Sequence, residues 1–221
     1  MKIRRLKKTK RIYLPSITPL LDWKYDIKEV QRFALAKQTS HITSRIEENE
    51  STLDLGCNLG FITLNVARQF PNNFVLGIEP DSDLTEAASR SAEIMGMKNV
   101  CFQSWEVTPR NVKALPSVDN VIFLSVFQQW VRSYGFENSK EMLNVLFQKT
   151  RKRMFFSMAT TNGSPKIGRY FPDMGRTVED SEEWIRTNIL AVPEFELRTL
   201  DRIESTYEAK LPRTLFYLNR S

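Results

Sequence analysis

The stretch that most constrains this chain is Ser51–Pro80, which reads STLDLGCNLGFITLNVARQFPNNFVLGIEP. Thr52–Leu55 is a short apolar run that enters Asp54-Leu55-Gly56-Cys57-Asn58-Leu59-Gly60. Phe61, Leu64, Val66 and Ala67 follow with helical spacing, and Asn73–Ile78 is a second apolar run ending at Glu79-Pro80. The pattern predicts strand, tight turn, helix and strand, a βαβ unit with an acid at the tip of its second strand. A strand that runs directly into a helix needs a sharp bend, which Gly56 and Gly60 supply at low steric cost. Asn58 is among the few non-glycine residues that tolerate left-handed backbone. Glu79 lies 79 − 54 = 25 residues after Asp54. A carboxylate at that strand tip can accept two hydrogen bonds from a ribose diol. The unit is therefore expected to bind a nucleoside-containing cofactor at the carboxyl end of a parallel sheet.

Two common phosphate-binding alternatives fail on residue identity. A dinucleotide fingerprint needs glycine where this chain has Asn58 and Phe61, and a P-loop needs a Gly-Lys-Ser/Thr run that is absent here. What remains, D-x-G-x-N-x-G, resembles the first motif of class I S-adenosylmethionine-dependent methyltransferases. The resemblance spans about Glu47 to Arg220. It implies a Rossmann-like α/β fold: a seven-stranded, mostly parallel sheet in the order 3-2-1-4-5-7-6, with helices on both faces. It also implies S-adenosyl-L-methionine as cofactor, with Asp54 and Gly56 at the methionine end and Glu79 on the ribose. Cys57, Asn58, Gly60 and Pro80 complete the expected cofactor loop. After the third strand (Asn99–Phe102), Glu106 occupies the place from which an acid approaches the adenine amino group, and Trp105 could flank the purine. The alternative for both is loop packing.

Val118–Val126, VDNVIFLSV, is the strongest strand of the chain, apolar on both faces as a central parallel strand requires. Ser125 at its end is expected beside the cofactor. Some relatives, including methyltransferase domains that cap O-antigen chains, look like S-V-x-H-H here, whereas this chain has Gln128 and Gln129. Glutamine hydrogen-bonds but carries no titratable proton. No general base is assigned, and Gln129 and Tyr170 are the catalytic candidates. Gln129, Trp130, Arg169 and Tyr170 are expected to line an acceptor pocket. The last two lie in Thr160–Asp180, which holds Gly163, Gly168, Gly175, Pro165 and Pro172 and reads as a lid or as a surface excursion.

Further elements are expected at Lys28–Glu48 (one or two helices, with Val30, Phe33, Ala34 and Ile42 on one side), Asp81–Met95 (a helix capped by Asp81 or Ser82 and ended by Gly96) and Lys140–Gln148 (a helix). Lys149, Arg151 and Lys152 would close that last helix, favoured by its dipole. A fifth strand is expected at Met154–Met158, a helix at Ser181–Ala191 and a final hairpin at Phe195–Ile203 and Arg213–Leu218.

The chain of 221 residues suits one domain: a basic arm over residues 1–26 and a catalytic fold over 27–221. The net charge of +6 comes from residues 1–11, which hold seven of the 32 Lys and Arg and no acid; the remaining 25 bases face 26 acids, leaving −1. Such a tail can bind nucleic acid or another anionic surface, or serve only as a solvated terminus. No apolar run is long enough to span a bilayer, and Pro15 and Pro19 break the apolar segment behind the basic start, so no signal peptide is expected. A cytoplasmic protein with two reduced, buried cysteines, Cys57 and Cys101, is the expectation. His41, the only histidine, reads as structural, and no metal site is expected. The reaction implied is in-line methyl transfer to an oxygen or nitrogen of a small molecule or saccharide. RNA methylation through the basic tail, or a non-catalytic cofactor-binding subunit, are the alternatives.

Overall fold

The structure, a computed structural model, describes residues 29–161, 168–203 and 213–221. Five parallel strands form most of one sheet: β1 (Ser51–Leu55), β2 (Phe74–Glu79), β3 (Val100–Ser104), β4 (Val118–Leu124) and β5 (Thr150–Ser157). β7 (Arg213–Arg220) inserts antiparallel between β5 and β6 (Phe195–Ile203), giving the order β3-β2-β1-β4-β5-β7-β6. The helices are α1 (Glu29–Thr43), α2 (Phe61–Gln69), α3 (Ser82–Ile94), α4 (Phe127–Tyr134), α5 (Phe136–Lys149) and α6 (Val178–Asn188).

The apolar runs of the central strands are explained by a core on each face. Successive strand residues point to opposite sides. Val121 and Phe123 of β4, Phe156 of β5 and Phe216 of β7 pack with Phe127, Leu146 and Ile185 on one side. Ile122, Phe155 and Leu215, their sequence neighbours, pack with Ile42, Phe61 and Val66 on the other. A strand buried on both faces has no polar register to show, which is why β4 reads as one continuous apolar run.

Several boundaries differ from the sequence expectation. α4 was not anticipated: a helix of eight residues directly after β4 is too short for a clear periodicity. β4 stops at Leu124 and leaves Ser125 and Val126 in the turn. Arg151 and Lys152 do not close α5. That helix ends at Lys149, and Thr150 already pairs with Val118 in the β4–β5 ladder. The bases belong to β5, where specific carboxylates hold them. Arg151 Nε lies 3.2 Å from Asp119 Oδ1, and Lys152 Nζ lies 2.8 Å from Glu50 Oε1. Arg153 Nη1 is 2.7 Å from the same Glu50 oxygen, and its Nη2 is 2.6 Å from Glu47 Oε1. This network sits where β1 and β5 begin, at the end of the sheet opposite the glycine loop.

Asp81 caps α3 as expected, accepting from the Asp83 N–H at 3.0 Å. His41 Nε2 lies 3.3 Å from Asp201 Oδ2 and ties α1 to β6. The cysteines are free, but only Cys57 is buried. Cys101 is exposed because β3 is the edge strand of the sheet. Residues 1–28, including the whole basic arm, and residues 162–167 of the glycine-rich loop lie outside the described residues, as do the side chains of Val30, Phe33 and Ala34. Among the described residues no helix is long and apolar enough to cross a membrane, and no cluster of His, Cys, Asp or Glu could hold a metal ion.

Candidate functional site

β1 hands the chain to α2 through three left-handed residues: Gly56 (φ 82), Asn58 (φ 54) and Gly60 (φ 75). Space also demands glycine here. A Cβ at Gly56 would lie 2.4 Å from Val126 Cγ2, and one at Gly60 would lie 2.7 Å from the Phe102 ring. The turn is stitched to β2: the N–H groups of Gly56 and Cys57 both donate to Ile78 O, at 2.8 and 3.1 Å. Asn58 Oδ1 accepts from the Leu59 N–H at 2.9 Å, which supports its left-handed backbone.

Glu79 does more than the sequence suggested. One carboxylate oxygen accepts from the Asn58 N–H at 3.1 Å and the other from the Asp81 N–H at 3.3 Å. It clasps the loop while staying half-buried at the strand tip. Burial raises its pKa, and these two backbone donors oppose the rise. Asp54 is buried beneath the turn, where the Thr63 hydroxyl donates to Oδ2 at 2.6 Å. Desolvation is the main cause that lifts its pKa to about 6, with a smaller push from the Glu79 charge. Thr63 escaped the sequence reading; a hydroxyl on the apolar face of α2 was the available signal. The Cys57 thiol is pushed well above its ordinary range by burial and by the two carboxylates, so it is not a nucleophile.

At the tip of β2 the chain joins β3. The Trp105 N–H donates to Glu79 O at 3.1 Å, and Ser104 Oγ donates to Pro80 O at 3.3 Å. Trp105 is half-buried against the core, and the exposed Glu106 accepts from Tyr134 Oη at 2.7 Å. The structure thus brings Asp54, Gly56, Cys57, Asn58, Gly60, Glu79, Pro80 and Trp105 to one end of β1–β3. Glu106 is held by α4.

The tip of β4 is equally constrained. Ser125 has φ 61, unusual for a residue with a side chain. Its N–H donates to Ser157 O at 2.8 Å, its Oγ accepts from Arg213 Nη1 at 2.6 Å, and its carbonyl accepts from Gln128 Nε2 at 2.9 Å. Val126, next in sequence, lies against Gly56, so this turn abuts the glycine loop. Of the residues expected in an acceptor pocket, Gln129 is exposed, and Trp130 is buried with its ring 4.7 Å from that of Phe123. Helical geometry explains the split: Phe127, Trp130 and Val131 share the core face of α4, which turns Gln129 outward and Gln128 inward. Arg169 and Tyr170 are exposed, while the adjacent Phe171 packs on Phe127, Phe136 and Trp184 at 6.1, 5.9 and 6.4 Å. Arg213 and Phe171 were not singled out from the sequence, and Gln128 was noted beside Gln129 without being placed in the site.

Strand order and glycine loop together define the class of S-adenosylmethionine-dependent methyltransferases. Residues 46–202 match the methyltransferase domain family Methyltransf_31, and the chain belongs to that family. Over 84% of its length it superposes on 38% of the bifunctional kinase-methyltransferase WbdD, with a TM-score of 0.64 and 19% identity. Over 90% of its length it superposes on 87% of magnesium protoporphyrin IX methyltransferase from Synechocystis PCC 6803, solved with bound cofactor, with a TM-score of 0.60 and 16% identity. A 67-residue stretch is 34% identical to the 23S rRNA (uracil(1939)-C(5))-methyltransferase RlmD of Psychromonas ingrahamii, which covers 30% of this chain and 15% of that protein. The chain spans less than half of the WbdD chains it matches and a small part of RlmD.

Proposed function

We propose that the chain transfers the methyl group of S-adenosylmethionine to an oxygen or nitrogen of a small molecule or saccharide. The observation that carries this reading is the pairing of the buried Asp54 and the half-buried Glu79 about a turn whose Gly56, Asn58 and Gly60 take left-handed backbone. Asp54 suits a cationic amino group and Glu79 a ribose diol. The bound sulfonium makes its methyl carbon open to in-line displacement. The chain's own residues align the acceptor and exclude water. Phe127, Phe136, Phe171 and Trp184 pack on one another as an aromatic wall within the core beyond β4 and support the strand tip at which the acceptor would sit.

The test is calorimetric titration of the cofactor and its demethylated product, followed by acceptor screening with methyl-labelled cofactor. One site per chain with micromolar affinity is expected. A folded protein that binds neither molecule rejects the reading. RNA is the second reading, favoured by the RlmD stretch and by the basic residues 1–11. Under that reading, labelled methyl appears in RNA, binding weakens steeply with salt, and a chain starting at Ile12 loses RNA turnover while keeping cofactor affinity.

A further inference from the structure

Gln128 is the one polar side chain at the tip of β4 whose chemistry the fold leaves half used. Its residue is only 6% exposed. Its Nε2 donates to Ser125 O at 2.9 Å, which fixes the amide orientation, since a carbonyl can only accept. The other end, Oε1, is sealed from solvent and has no hydrogen-bond partner. A buried carbonyl left unpaired costs the fold about 1–3 kcal/mol, so it persists where another demand retains it. It lies in the first turn of α4, two residues after Val126, which touches the glycine loop.

Resting on the methyl-transfer reading above, we infer that Gln128 Oε1 receives an N–H of the methyl acceptor, and that the acceptor is an amine. The chemistry selects among nucleophiles. An amide oxygen accepts a hydrogen bond but cannot remove a proton. An alcohol needs its proton taken as it attacks, and among the described residues the Gln128 side chain hydrogen-bonds to the Ser125 carbonyl and to no acid or base. A carboxylate needs no base but has no hydrogen to offer Oε1. A free-base amine meets both conditions: one N–H bonds to Oε1 while the lone pair faces the methyl carbon. The lone pair forms the new N–C bond, and the C–S bond breaks with its electron pair passing to sulfur, which becomes a neutral thioether. Nitrogen takes the positive charge and afterwards releases one proton to water. Ser125 positions this amide: Arg213, the Ser157 carbonyl and Gln128 itself hold it in its left-handed conformation.

Matched pairs of acceptors test the inference: 2-phenylethylamine against 2-phenylethanol, and glucosamine against glucose, each with methyl-labelled cofactor. The amine member is expected to be methylated at least tenfold faster, with a rate that rises with pH until the amine is fully free base. Gln128→Leu should lower amine turnover about ten- to a hundredfold, the cost of leaving the N–H unpaired. Cofactor affinity should stay within about threefold. Faster methylation of the alcohols, or full amine turnover by Gln128→Leu, overturns the inference. Gln128→Met provides a readout that needs no acceptor. If Oε1 serves a ligand, this variant of similar volume loses only the Nε2 bond to the Ser125 carbonyl, and its Tm falls by no more than about 4 °C; a larger fall assigns the whole amide to the fold and overturns the inference. Failure of cofactor binding in the titration above would instead sink the methyl-transfer reading itself.

Discussion

At the scale of single residues, the candidate site holds two carboxylates, Asp54 and Glu79, whose pKa values burial raises. Asp54 ionises near pH 6 in the folded protein, against 3.8 for an ordinary aspartate. Between those values the folded state holds a proton that the unfolded chain has lost, so this group's contribution to stability falls as pH rises through that window. A cationic amino group bound beside it favours the ionised form. Cofactor affinity should therefore be about tenfold weaker near pH 5 than above pH 7, where Asp54 is already ionised. Asp54→Asn should abolish this dependence, weaken binding and leave Tm unchanged or higher. Calorimetry across the pH range checks it; a flat affinity profile in the native protein would rule out contact with Asp54. Glu79 gives a second test. Glu79→Ala should weaken cofactor binding more than Glu79→Gln, because glutamine keeps one acceptor and the alanine variant loses charge-assisted bonds worth roughly 1.5–3 kcal/mol each. Equal, unimpaired binding by both variants moves the ribose contact elsewhere.

At the scale of elements, two turns decide whether the site is formed. The β1–α2 turn depends on Gly56, where an added methyl meets both a φ of 82 and the Val126 side chain at 2.4 Å. Gly56→Ala should cost about 1–3 kcal/mol of stability and impair cofactor binding together with it, read by thermal melts and titration on the same samples. α6 is the support for the aromatic wall, since it carries Trp184 against Phe136 and Phe171. Its N-terminus is closed by a reciprocal pair: Thr177 Oγ1 accepts from the Asp180 N–H at 3.0 Å, and Asp180 Oδ2 accepts from the Thr177 N–H at 2.9 Å. Thr177→Ala should remove about 1 kcal/mol. Cofactor affinity should be untouched, because α6 lies on the far side of β4 from the glycine loop. A loss of cofactor binding in this variant would show that the two halves of the site are coupled.

At the scale of the whole molecule, the candidate site lies at one end of the sheet and a buried ionic network at the other. Burial pushes Glu50 up in pKa, but hydrogen bonds from Lys152, Asn120, the Glu47 backbone and Arg153 outweigh it and bring it down to about 2. The stabilisation is fully present above pH 4.5, the ordinary value, and is lost as pH falls towards 2. Acid unfolding should therefore begin below about pH 4.5 in the native protein. Glu50→Ala leaves the buried Arg153 with only the exposed Glu47 as ion-pair partner and should cost about 3 kcal/mol at neutral pH, with a flatter acid limb in pH-dependent melts. An unchanged acid limb would place the acid sensitivity in other carboxylates.

Much of this protein was legible in its sequence, and the parts that were share a cause. The glycine loop, the acid at position 79, the Asp81 cap and the double-faced apolar strands follow from local backbone conformation and short-range periodicity, which residue identity sets directly. The strand order followed from the family resemblance that those residues carried, not from periodicity. What the tertiary structure alone decided depends on neighbours distant in sequence. Arg151, Lys152 and Arg153 joined a strand because β4 offered Thr150 a ladder and Glu50 and Asp119 offered carboxylates, contacts that span from 151 − 119 = 32 to 103 residues in the chain. Trp130 entered the core, and Gln128 rather than Gln129 turned inward, because α4 begins at Phe127, and one residue of shift rotates a helix by about 100°. Glu79 became a clasp for the loop, and Arg213 met Ser125 across 88 residues. Desolvation, which lifts Asp54 and leaves Gln128 Oε1 unpaired, exists only once the chain has closed over these groups; residue type sets what they can do, and burial decides what they must.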